Sequence, residues 1–128
     1  MVLARLFGFA VVGAVLAGCA GAPLEHREPY KVVTVDMPAQ QVYDNLNAYP
    51  YCGFNWRLDS RFDGYSQSFE IRFIANSPLS AGGQATDLIR GRAEGDGGTK
   101  LTLSSFESFA TPISQKFLNR LQTGKCDG

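Results

Sequence analysis

FNWRLDSRFDGYSQSFEIRFI, residues 54–74, alternates apolar and polar side chains on both sides of an Asp-Gly pair. Phe54, Trp56, Leu58 and Phe62 alternate with Asn55, Arg57, Asp59 and Arg61, and Tyr65, Phe69, Ile71 and Phe73 alternate on the return. A period of two sends successive side chains to opposite faces of a strand, so the stretch predicts an antiparallel hairpin with one apolar face. Asp63-Gly64 suits a two-residue type I′ turn, whose central positions both need positive φ. Pairing Phe62 with Tyr65 then sets Leu58 against Phe69, Trp56 against Ile71 and Phe54 against Phe73. Arg57 meets Glu70 on the polar face. Cys52 continues the aromatic parity and is expected on the buried side.

Working outward, a second hairpin is expected from Gln84 to Phe106. Ile89, Gly91 and Ala93 share a parity, as do Leu101 and Leu103, so keeping them on one face requires an odd-length loop. Asp96-Gly97-Gly98, between Gly95 and Thr99, satisfies this and sets Glu94 opposite Lys100. Residues Asn76 to Gly83 join the two hairpins. Upstream, Tyr30 to Asp36 is rich in β-branched residues and reads as a first strand. Pro38 fits a first helical turn, Ala39, Val42, Tyr43 and Leu46 recur at helical spacing, and Pro50 ends the run. Downstream, Thr111 and Pro112 are placed as N-cap and N1 of a helix with the stripe Ile113, Phe117, Leu118 and Leu121, and Gly124 is placed to end it. The expected class is α+β, an antiparallel sheet in the order β-α-β-β-β-β-α with the C-terminal helix packed on the sheet.

That order resembles the helix-grip, or TBP-like, architecture. Val35-Asp36-Met37-Pro38-Ala39-Gln40-Gln41-Val42-Tyr43 is similar to the strand-to-helix entry of START and Bet v 1-like domains. The resemblance implies a sheet curled around the C-terminal helix. The chain is shorter than those domains and lacks their pair of helices after the first strand.

The N-terminus carries a second resemblance. Arg5 supplies a positive start, Leu6 to Leu16 an apolar core, and Ala17 and Gly18 the small residues before a signal-peptidase cut. A spanning helix needs about 20 apolar residues, and Gly8, Gly13 and Gly18 dilute a core already shorter than that. Leu16-Ala17-Gly18-Cys19 resembles the lipobox of bacterial lipoprotein precursors. This implies a signal peptide over residues 1–18 and lipidation of Cys19 by diacylglyceryl and amide-linked acyl (palmitate-type) chains, which together anchor stably. Ala20, where an aspartate commonly retains such proteins in the inner membrane, favours the outer membrane, facing the periplasm. Residues 19–29 are then a lipidated N-terminus and flexible tether, since AGAPLEHREP has two prolines and no apolar period, and residues 30–128 a single domain. With Cys19 assigned to lipid, Cys52 and Cys126 remain as a disulfide pair in an oxidising compartment. Two free thiols or a metal site are the alternatives, and His26 is the one histidine available as a ligand.

Residues 1–128 hold twelve Lys+Arg and twelve Asp+Glu, and removing residues 1–18 takes Arg5 away, leaving a net charge near minus one. Such a balance carries no strong footprint for nucleic acid or for anionic lipid. No catalytic constellation stands out, because His26 lies in the tether, and Asp59 and Glu70 lie on a polar strand face. Gly95-Asp96-Gly97-Gly98 is a turn between strands with no helix start to receive a phosphate. Neither cofactor nor metal is expected. The candidate surfaces are two: an aromatic face of Trp56, Phe62, Tyr65, Phe69 and Phe117 for a partner or a small apolar ligand, and an anionic-partner patch of Arg90, Arg92 and Lys100. The expected function is a lipid-anchored, non-enzymatic envelope protein that binds or scaffolds another envelope component. Its rival is a carrier of a small apolar ligand or lipid in a cleft between sheet and C-terminal helix, and an envelope-polymer hydrolase stands third.

Overall fold

The computed structural model describes residues 23–48, 52, 56–75, 84–106 and 111–126. The signal segment with Cys19, the positions of Phe54 and Pro50, and the loop over residues 76–83 lie outside the described residues. Among the described residues five strands form one antiparallel sheet: β1 (Lys31–Val35), β2 (Trp56–Asp63), β3 (Ser68–Ala75), β4 (Ala85–Ala93) and β5 (Thr99–Ser105). Helix α1 (Ala39–Ala48) follows β1, and α2 (Ile113–Thr123) follows β5, which gives the expected α+β order. Strands lie side by side as β1-β5-β4-β3-β2, so β1 and β2 are the two edges and the segment holding α1 carries the chain across the sheet.

Both hairpins form, each in a different register from the one the sequence suggests. In the first, Phe62 pairs with Phe69, Leu58 with Phe73, Trp56 with Ala75 and Arg61 with Glu70. The turn is four residues, Gly64 to Gln67, in place of a two-residue Asp-Gly turn. The Asp63 carboxylate accepts from the Tyr65 amide at 3.0 Å and the Ser66 hydroxyl at 2.9 Å, Gln67 takes a left-handed φ of 52°, and its Nε2 donates to the Gly64 carbonyl at 2.7 Å. The tighter register would place Gln67 on the apolar face opposite Ser60. The wider turn leaves Tyr65, Ser66 and Gln67 in water, and Tyr65 is wholly exposed. Because the two registers differ by an even number of residues, every side chain keeps its expected face.

In the second hairpin the loop is Gly95-Asp96-Gly97, one residue earlier than expected. The Glu94 amide donates to the Gly98 carbonyl at 2.8 Å, and Gly97 supplies the left-handed third position (φ 91°) that a three-residue loop needs. Ile89 therefore meets Leu103, Gly91 meets Leu101, and Arg92, not Glu94, stands opposite Lys100.

The apolar face is closed by both helices. Val42 and Leu46 of α1, Phe117 and Leu118 of α2, and Phe69, Ile71, Phe73, Ile89, Leu101 and Leu103 of the sheet form one buried cluster. Phe117 meets Phe73 edge-on with ring centroids 4.7 Å apart. Where one helical stripe would leave the aromatic face open, Tyr43 of α1 covers it, 5.3 Å from Phe62 and 5.5 Å from Phe69. Gly91 is needed beneath this cluster, because the Phe69 ring occupies the space where a Cβ on Gly91 would stand. The sulfurs of Cys52 and Cys126 stand at disulfide distance, with Cα atoms 5.4 Å apart, fastening the end of α2 to the buried cluster 74 residues earlier.

The start of α2 corrects an expectation. Pro112, not Thr111, occupies the N-cap, and no side-chain cap comes from it. Asp87 on β4 supplies the cap from across the fold, accepting from the Ser114 amide at 3.0 Å and the Ser114 hydroxyl at 2.6 Å. Gly124 ends the helix as expected, with φ 80° and its amide donating to the Arg120 carbonyl at 2.8 Å.

Residues 23–29, the described part of the expected tether, do not run free. A 3-10 turn, Leu24–His26, lies against β4 and β5 on the face opposite the helices, with Leu24 buried. Glu25 forms an ion pair with Arg72, and Arg27 lies over the Phe106 ring, 4.8 Å from its centroid.

Candidate functional site

Side chains of even-numbered residues on β4 and β5 point away from the helices, and the same face of β2 and β3 carries Arg57, Asp59, Arg61, Glu70 and Arg72. Antiparallel pairing brings these rows into register: Arg61 beside Glu70, Glu70 beside Arg90, Arg90 beside Thr102, and Arg92 beside Lys100. Together they line a concavity of about 730 Å³ on the outer face of the sheet. Ser68 and Asp63 close it at the hairpin end.

The charges in this concavity fall into two groups. Glu70 is saturated: Arg90 Nε donates to one carboxylate oxygen at 2.9 Å and Arg72 approaches the other at 3.5 Å. Arg72 also holds Glu25, whose carboxyl sits below its ordinary range because of its own backbone amide first and the Arg72 guanidinium second. Glu25, Arg72, Glu70 and Arg90 thus form one network, with side chains roughly a third exposed, where each pair contributes about 0.2–1 kcal/mol. The second group is unsatisfied. Among the described residues no carboxylate lies within ion-pair distance of Arg61, Arg92 or Lys100. Arg92 and Lys100 are directly opposite one another on adjacent strands, an arrangement of like charges that costs stability until an anion enters between them. An arginine pair with a lysine at such a spot suits a phosphate or carboxylate, which guanidinium groups bind through two parallel hydrogen bonds.

The expected patch of Arg90, Arg92 and Lys100 is therefore brought together in one concavity. Arg61 was missing from it. Its signal was the hairpin register, which sets Arg61 beside Glu70 and so beside the arginine row of β4. Glu70 takes Arg90 and Arg72 as partners in place of the expected Arg57, since the wider turn moves Arg57 opposite Ile74. Asp59 stands opposite Arg72, so neither carboxylate is left in a pair with the other.

The aromatic set is not brought together as one open surface. Phe69 and Phe117 are buried, Trp56 and Phe62 are half-buried against the core, and Tyr65 lies out on the turn. A smaller concavity of about 210 Å³ lies at the start of α2, lined by Trp56, Asp87, Phe106 and Lys116 among others. Asp87 is 1% exposed and also accepts from Thr86 at 3.0 Å and Ser105 at 3.1 Å. Ser114 is fully buried with its hydroxyl given to Asp87, and Tyr30 OH reaches it at 2.6 Å. Burial raises the Tyr30 phenol to about 12, the Ser114 bond partly offsets this, and the Asp87 charge adds to it. Such a group locks a helix start to a strand. Sequence reading missed it, though Asp87 shares the inward parity of Ile89, and an acid there demands partners.

No protein-family model matches the chain, and no curated protein and no solved structure matches it.

Proposed function

We propose that this chain is a non-enzymatic, lipid-anchored protein of the bacterial envelope, held through Cys19 and binding another envelope component with the outer face of its sheet. One observation carries the binding half of this reading: Arg61, Arg92 and Lys100 lie in one concavity with no ion-pair partner among the described residues, and two of them are directly opposed. The helix-grip resemblance is supported by the pairing of the first strand with the last and by both helices lying on one face. The inner face is filled by Phe73, Phe117 and Phe69, so binding belongs to the outer face rather than to a cleft beneath α2.

A photo-crosslinking residue at position 92, compared with one at position 119 on α2, tests this in intact cells. The expected result is a discrete adduct from position 92, identified by mass, and none from position 119. Equal or absent adducts at both positions contradict the outer-face reading.

A further inference from the structure

The docked N-terminal segment and the cationic concavity are neighbours, and this has a geometric consequence for an anchored protein. Leu24 is buried on the outer face, and Arg90 joins the two features: its Nη1 donates to the Glu25 carbonyl at 3.3 Å while its Nε donates to Glu70 in the wall of the concavity. Five residue steps separate Cys19 from Leu24. Fully extended they reach at most about 17 Å, not the 35–40 Å or so of an eleven-step tether running to Tyr30. An acyl anchor at Cys19 therefore keeps the outer face of the sheet, rather than the helical layer, close to the lipid surface.

That face is where the unpaired cations collect. The chain as a whole is close to neutral, but charges act on a surface within a Debye length of about 8–10 Å, so local segregation decides what the membrane meets. A concavity of about 730 Å³ matches the size of a site for a small polar group. Beside Arg90, which is taken up by Glu70, its cations are a like-charged pair, Arg92 and Lys100, together with Arg61, and the Thr102 and Ser68 hydroxyls add donors to the lining.

We infer that the concavity takes the phosphate of an anionic phospholipid headgroup, so that the anchored domain lies sheet-first on the membrane that holds Cys19. The inference rests on the lipid-anchored reading and deepens it by naming the component bound.

The test uses the processed, lipidated protein reconstituted into vesicles of phosphatidylcholine alone or of phosphatidylcholine with phosphatidylglycerol. A water-soluble amine reagent reads the accessibility of Lys100, with Lys125, exposed beyond α2, as internal reference. Lys100 labelling relative to Lys125 is expected to fall by about fivefold or more in the anionic vesicles, the factor expected per cation near such a surface. The double variant Arg61→Gln with Arg92→Gln should restore it. Equal relative labelling in both vesicles overturns the inference. So does protection of Lys100 in phosphatidylcholine vesicles by millimolar inorganic phosphate alone, which assigns the site to a free anion. Failure of the anchor itself reads separately, as loss of attachment to both kinds of vesicle.

Discussion

Asp87 is an acid on the apolar face of a central strand, and four hydrogen bonds keep it there: from Thr86, from Ser105, and from the amide and hydroxyl of Ser114. Replacing it by alanine removes the cap of α2 and strands buried donors, so Asp87→Ala should destabilise by about 3 kcal/mol in urea unfolding. Asp87→Asn, which keeps an acceptor, should cost less. Tyr30 is 44% exposed but turns its hydroxyl to fully buried Ser114. Its folded pKa of about 12 lies above the ordinary 10, so the folded state holds the proton more tightly than the unfolded one. The resulting stabilisation is complete below pH 10 and is lost as pH rises from 10 towards 12. Unfolding midpoints of the wild type and Tyr30→Phe, measured across that window, should converge as pH rises. A constant difference would show that the hydroxyl does not sense its surroundings.

The docked turn Leu24–His26 is held by a small set of groups: a buried leucine, the Glu25–Arg72 ion pair, the Arg90 bond to the Glu25 carbonyl and the contact of Arg27 with Phe106. Glu25 is depressed below its ordinary 4.5, so its contribution to docking is present above that value and is lost as pH falls below it. Hydrogen-exchange protection factors at Leu24 to Arg27 should fall in acid while those of the sheet amides persist, and Glu25→Gln should show part of that loss at neutral pH. Uniform protection of these residues at acid pH would remove the ion pair from the docking. This turn was illegible in the sequence, because AGAPLEHREP offers one leucine and no period, and a lone apolar residue does not announce what it is buried against. The hairpins were legible in a different measure. Alternation assigned their faces, and even shifts preserved them. Their registers were not legible, because Asp63 bonds to Ser66 and Tyr65 and Gly97 takes the left-handed position, and side-chain turn chemistry of this kind outweighs the Asp-Gly signal.

At the scale of the molecule, the two faces of the sheet divide the work. The inner face is closed by α1 and α2 and fastened by the Cys52–Cys126 pair, whereas the outer face carries the docked N-terminal segment and the cationic concavity. The fold class was legible from patterning alone. The concavity was legible only in part: Arg90, Arg92 and Lys100 could be seen on one strand face or close to it, but an expected Glu94 partner hid the direct opposition of Arg92 and Lys100. Net charge concealed it as well, since near-neutral totals say nothing about which face holds the cations. In the proposed function, attachment through Cys19 sets the compartment, the orientation of the sheet and the surface it meets. Expressing Cys19→Ser beside the wild type and fractionating the cells measures this directly. The account expects wild-type protein in the membrane fraction and the exported variant in the soluble periplasmic fraction; a processed variant that stays with the membranes as fully as the wild type would contradict it.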